Sequence, residues 1–219
     1  HVYTKNFNWK YLGNIPVYCR PLSLKQLRNS NKLLFSLFKP FSLIINYISR
    51  SKRDILLQKI KKFDEVIECK SSYNDKFYSI GQTKEFLNWR YIQSPQDYDC
   101  FRIMYKGNCI GYCVIRIEEK FGLKFAWIMD LFIQDEFAKY FHNVLNVIST
   151  KFFLKSDFLT SFLPNNYYKN YYSKALFFQI PQLLIPHKFY FCVNKNHSSQ
   201  NNICKLENWY MTWSLNDVI

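Results

Sequence analysis

The chain has 219 residues, 48% of them hydrophobic and 20% aromatic, which is enough apolar material for one sizeable core and excludes wholesale disorder. Its formal charge of +14 is concentrated: between Arg20 and Lys62 there are eleven Lys or Arg against one acid, Asp54. Seven cysteines without a C-x-x-C pair and four scattered histidines argue against a zinc ribbon, a disulfide framework or any metal site, and fit a reducing, cytoplasmic setting.

Taken in order, residues 1–22, with "NWKYLGNIPVYCRPL", read as the terminal strands of a preceding unit. Residues 23–62 form a basic helical linker. Within it, "LLFSLFKPFSLIINYI" (33–48) carries apolar residues at 34, 37, 38, 41, 44, 45 and 48, the spacing of one helix face, with Pro40 as a break. Two readings of this arm stand open: a helix pair packed on the protein or a neighbour, and an interfacial helix on anionic lipid, peripheral at the inner face of the membrane. Clustered lysines also suit nucleic acid, but no nucleic-acid motif accompanies them, so that partner is disfavoured.

Residues 54–70 are expected as a helix with Ile55, Ile60, Phe63 and Ile67 near one face. Thr83 caps a short helix that leads into "NWRY", and Pro95 closes that segment. Trp89 and Arg90 there are candidates for substrate binding, Arg90 because a guanidinium suits a carboxylate or phosphate. Three antiparallel strands follow, "CFRIMYK", "CIGYCVIRIEE" and "KFAWIMDLFIQ", with turns at Gly107-Asn108 and Phe121-Gly122. A helix is expected over 136–154, a strand at "FLTSFL", a second helix over 165–176 capped by Asn165, and closing strands at "KFYFCVN" and "WYMTWSL". The resulting fold class is α/β (α+β), with a mixed, mostly antiparallel central sheet flanked by helices and a basic N-terminal arm.

Over residues 63–219 this order resembles the GNAT-type N-acyltransferase superfamily, especially bacterial members with two units in tandem. The resemblance rests on "FLNWRY…P", "GYCVIRI" leading into "IMDLFI", "YYSKALF" and the closing "WYMT…ND". It implies an N-acetyltransferase-like transferase using acetyl-CoA or another acyl-CoA, with a small-molecule amine such as an amino sugar of the cell envelope as acceptor. An upstream sister domain is implied as well. A tandem-domain transferase that uses aminoacyl-tRNA is an alternative, and a noncatalytic module for partner or membrane-surface interaction is another. By the resemblance, Leu131, Phe132 and Ile133 would offer backbone groups to the cofactor, Asp130 would aid a base, and Tyr172 would be the acid. Gln134 and Lys139 are the cofactor-loop candidates. Two departures stand out: Leu176 replaces the glycine of the family's Tyr-x-x-x-Gly-Phe, and "QDEFAKYF" carries Asp135 and Glu136 where glycines would cradle a diphosphate.

Overall fold

The computed structural model describes residues 9–23, 36, 40, 54–64, 78, 83–163, 167–185, 188–194 and 201–213. Its strands are β1 (Trp9–Asn14), β2 (Val17–Pro21), β3 (Ile55–Lys59), β4 (Asp99–Tyr105), β5 (Asn108–Lys120), β6 (Leu123–Ile133), β7 (Phe158–Phe162), β8 (Phe178–Gln179) and β9 (Tyr190–Asn194). The α-helices are α1 (Lys84–Leu87), α2 (Phe141–Phe152) and α3 (Lys169–Lys174). Seven strands form one mixed sheet in the order β3-β4-β5-β6-β7-β2-β8, antiparallel except for the β6–β7 pair, and β1 pairs with β9 in a separate ribbon. The α/β class and the three-strand meander are as the sequence predicts.

The meander forms because its turns are chemically specified. Lys106 and Gly107 both have positive φ (49° and 85°), as do Phe121 and Gly122 (55° and 70°). Two successive positive φ values define the turn whose twist matches antiparallel strands. The first turn is therefore centred on Lys106-Gly107, one residue earlier than expected, and Asn108 already pairs with Tyr105. Between the strands, Ile103, Ile110, Tyr112, Cys113 and Val114 are fully buried. Burial pushes the Cys19 and Cys100 thiols up to about 12 and the Cys113 thiol higher still, so these cysteines are packing groups rather than nucleophiles.

On α2, Phe141, Val144, Leu145, Ile148 and Phe152 recur at helical spacing and are buried. The helix packs on the sheet, with Phe152 edge-on to Phe101 at 6.0 Å, and carries the crossover from β6 to β7. Arg20, from β2, is wholly buried and donates to Asn146 Oδ1 (2.7 Å) on α2 and to the Ala175 carbonyl (2.8 Å) after α3. One β2 side chain thus ties both helices to the sheet. Desolvation lowers its pKa to about 10, so the guanidinium stays charged at neutral pH.

Several expectations change. The segment from residue 54 is an edge strand, not the start of a helix: Ile55 through Lys59 pair residue by residue with Tyr105 through Phe101. Ile55 faces inward while Leu56 is 63% exposed, and this two-residue alternation, shared over a stretch only five long, also satisfies a helical template. Ile55–Lys59 are thereby reassigned to a strand, and residues 54 and 60–64 are turn, bend or irregular rather than helix; the amphipathic stretch 33–48, apart from residues 36 and 40, lies outside the described residues. Strands β1 and β2, expected to end a preceding unit, pair inside this body, β2 with β7 and β8. The expected α-helix over 136–154 begins as a 3-10 turn (Asp135–Tyr140) and becomes α-helical only at Phe141. Of the expected final strand, Trp209 makes a single parallel bridge to Tyr78 and the Tyr210 N–H donates to the Tyr78 carbonyl (2.8 Å), but residues 210–213 do not form a strand. Asn165, the expected cap, lies outside the described residues.

The end of α3 holds Leu176 in a strained backbone conformation. Leu176 adopts φ 60°, with its N–H donating to the Ser173 carbonyl (2.9 Å) and the Phe177 N–H to the Tyr172 carbonyl (2.9 Å). This is the left-handed helix stop that glycine normally occupies. In a helix interior Ala is the more stable of the two residues. Here the order reverses: Leu176→Gly is expected to exceed Leu176→Ala in stability by about 1 kcal/mol, because only the alanine retains the left-handed strain. Paired urea melts of the two variants check it.

Candidate functional site

The parallel pair β6–β7 is joined over only three positions, Phe125 to Trp127 against Phe158 to Thr160. Beyond Trp127, β6 continues to Ile133 without β7 beside it, so the two strands diverge into a wedge. A bulge shapes one wall: Val114 faces Asp130 and Ile115 faces Ile128, which leaves Met129 as an extra residue. Residues three apart on a regular strand point to opposite faces. With the bulge, Ile128 and Leu131 line the same cavity, together with Ser161, Phe162, Tyr168 and Tyr172.

The wedge is filled. Tyr210 Oη donates to the Leu131 carbonyl and its ring lies 5.8 Å from that of Tyr168. Met211 and Thr212 complete the lining. Trp213, almost wholly buried, stacks on Phe162 with ring centroids 3.6 Å apart and meets Trp127 and Phe189 edge-on at 4.8 and 5.1 Å. What remains is a cavity of about 10 Å³, room for a single water at most.

Of the sequence candidates, Tyr172 and Leu131 meet in this cavity. Tyr172 is buried, its hydroxyl 2.7 Å from Ser161 Oγ, and its ring packs 5.8 Å from Tyr18 and 5.9 Å from Phe141. Burial raises the phenol above its usual range, more than the Ser161 hydrogen bond lowers it, so it stays protonated at neutral pH. Asp130 is not brought to Tyr172. It points to the other side of β6, fully buried, and accepts from Tyr91 Oη (3.4 Å) and Tyr112 Oη (3.3 Å). Phe132 stacks on Tyr112 at 5.8 Å on that same side, and Ile133 is buried beside Gly111. The short Trp-Arg-Tyr segment therefore serves Asp130 through Tyr91 rather than through its neighbours. Trp89 is 61% exposed and tilted against Phe86 at 5.9 Å, and Arg90 is half-buried; neither lines the wedge.

The loop beyond β6 does not suit a diphosphate. Gln134 donates its N–H to the Ile110 carbonyl (2.9 Å) and accepts from the Phe137 N–H (2.9 Å). Asp135 and Glu136 occupy the first turn, and that turn is 3-10 rather than α-helical. Lys139 is exposed, its ammonium 5.2 Å above the Tyr140 ring. Like charges at ~4 Å repel by roughly 1 kcal/mol in water and more in a cleft. With the Leu131 carbonyl, the Gln134 N–H and the wedge volume all taken, these residues do not fit an acyl-CoA.

Sequence reading missed the filler. Residues 209–213 look like one more strand, since Trp, Tyr, Met and Thr all suit a pleated surface. Ser161 also escaped notice, as a lone hydroxyl in a buried strand carries no pattern. Among the described residues there is no cluster of three metal-ligating side chains, and no helix is long and apolar enough to cross a membrane.

No protein-family model matches the chain, and no curated protein matches it. Among solved structures it is similar to a functionally unknown conserved protein from Staphylococcus epidermidis ATCC 12228, with 12% identity and a TM-score of 0.49 over 82% of this chain and 61% of that one. The chain thus spans less than two thirds of that protein's length.

Proposed function

We propose that the chain is a noncatalytic N-acyltransferase-like module, in which the slot that would take an acyl carrier is occupied by the protein's own aromatic side chains. The observation that carries this reading is Tyr210 on the Leu131 carbonyl, with Trp213 stacked on Phe162 behind it. The kinship half of the reading is supported by the three-residue parallel pair that diverges into a wedge, by α2 as its crossover, and by Leu176 keeping a glycine-type backbone after Tyr172. The noncatalytic half is supported by the committed Gln134 N–H and by the separation of Asp130 from Tyr172 onto opposite sides of β6.

The test is to titrate the chain with acetyl-CoA and follow the backbone amides of residues 131–139. The expected result is no saturable perturbation there. Saturable shifts at Leu131 to Lys139, with a micromolar midpoint, would overturn the noncatalytic reading and restore an acyltransferase acting on a small amine, with Tyr172 as its acid.

A further inference from the structure

The hairpin β5–β6 reaches past its neighbours at one end of the sheet. Asp99, the first residue of β4, pairs with Ile115, while β5 runs on to Lys120; on the other side β7 begins opposite Phe125. The last pairs, Glu119 with Lys124 and Lys120 with Leu123, therefore stand clear of both flanking strands. At the tip, Phe121 is 83% exposed and holds a φ of 55°. Both facts count against a phenyl group there: an apolar ring faces water, and a left-handed turn position suits glycine or asparagine. A second apolar tip lies at the same end, since Leu154, in the turn that follows α2, is 69% exposed.

Hydrogen bonds fix the two tips to one another. The Lys124 N–H donates to Asp157 Oδ2 (2.9 Å) and the Asp157 N–H donates to the Lys124 carbonyl (2.7 Å), so the positions three residues beyond each tip are clamped together. Strand β2 ends here too, with the Leu22 N–H donating to the Asp157 carbonyl (2.7 Å) and Ser23 Oγ to the Ser156 carbonyl (3.3 Å). From this point the sequence continues through residues 24–53, which carry seven Lys or Arg and no acid. Lys151, in the last turn of α2, and Lys155, just beyond it, are exposed, and neither takes part in an ion pair among the described residues. Their ammonium groups lie over the Phe101 and Phe152 rings at 4.8 and 5.6 Å. Three acids share this end. Glu118 is paired with Arg116 and Lys120, Glu119 stands across from Lys124, and Asp157 is buried in the clamp. Arg116, Lys120 and Lys124 match them in number, which leaves the positive excess to Lys151, Lys155 and residues 24–53.

We infer that this end of the protein docks on an anionic lipid surface, with Phe121 and Leu154 entering the headgroup boundary, Lys151 and Lys155 beside them, and the basic run tethered at Ser23 adding attraction to the lipid phosphates. A protein interface needs a contiguous patch of about 800 Å² per partner. Two separate apolar points do not supply one, whereas a fluid bilayer closes around each point independently. Apolar insertion and attraction to anionic lipid reinforce each other there, each weak alone. The inference rests on neither the wedge nor the family resemblance.

The experiment sediments the full chain with vesicles of phosphatidylcholine alone and of phosphatidylcholine mixed with phosphatidylglycerol. Wild type is compared with F121N/L154Q, which removes both apolar tips and keeps a residue suited to the left-handed turn, and with L56Q/L183Q, which removes two exposed leucines elsewhere. Melting temperatures confirm that both variants fold. The expected result is saturable binding to the mixed vesicles, about tenfold or more weaker on phosphatidylcholine alone, weakened by about tenfold or more in F121N/L154Q and by less than about twofold in the control. Equal binding by F121N/L154Q and wild type would leave only charge attraction and overturn the inference, as would equal binding to both vesicle types or no saturable binding to either. A third arm uses polyuridylate: binding to it that is lost in F121N/L154Q, with none to vesicles, would mean that the surface takes nucleic acid and would overturn the lipid assignment.

Discussion

Gly111→Ala is expected to lower stability by about 3 kcal/mol, at the upper end of what overpacking a core position costs. Gly111 faces Ile133 across β5–β6, just after the extra residue Ile110 in β5. A methyl group there would run into the Phe132 carbonyl, with the carbonyl carbon 2.9 Å and the Ile133 Cα 3.0 Å away. These are backbone atoms of a central strand, so no side-chain rotation relieves the clash. Phe132 is also stacked on Tyr112, which holds Asp130, and a shift of β6 would strain all three. At about 2–4 °C per kcal/mol for a chain of this size, the melting temperature falls by about 6–12 °C. Gly107→Ala is the control: nothing lies within 4 Å of its added methyl, and only its φ of 85° is penalised, by about 1 kcal/mol. Circular dichroism melts that rank Gly107→Ala below Gly111→Ala would remove the steric argument.

Trp213→Ala should be comparably severe, by about 3–5 kcal/mol, since it empties a buried indole site packed against Phe162, Trp127 and Phe189. Tyr210→Phe removes one donor and leaves the Leu131 carbonyl without it, a loss of about 1–3 kcal/mol. Beyond the size of the loss, its location is diagnostic. If Trp213 and its neighbours hold the wedge shut, amide exchange in Trp213→Ala accelerates first at Leu131 to Ile133 and only later in β4. Uniform acceleration along the sheet would mean that Trp213 is ordinary core and the wedge has no separate existence.

The meander was legible because its signals are local. Glycine turns fix the register, β-branched and aromatic residues fill the strands, and Thr83 caps α1 through its own side chain, accepting from the Phe86 N–H at 3.2 Å. Helix α2 was legible through its apolar spacing, though not its 3-10 approach, which depends on Gln134 bonding across to Ile110. The edge strand β3 was not legible, since one face of five residues is too short to separate a period of two from one of 3.6. Nor were the contacts that decide the site. The hydrogen bond from Tyr210 to Leu131 spans 79 residues, and the one from the Phe63 N–H to Asn88 Oδ1 spans 25. Side-chain identities forecast that such aromatic and amide groups pack somewhere, but the partner is chosen by the folded sheet.

Strand β2 sits between β7 and β8, and its Tyr18 hydroxyl bonds Gln179, 161 residues downstream. At ribosomal speeds of about 5–20 residues per second, that partner emerges about 10–30 s after β2 does. Until β7 emerges late in that delay, the segment around Val17 and Arg20 has no sheet to join, while the β4–β6 meander can already close. Synthesis therefore imposes a waiting period on the sheet's far flank, during which a defined apolar segment is left uncovered.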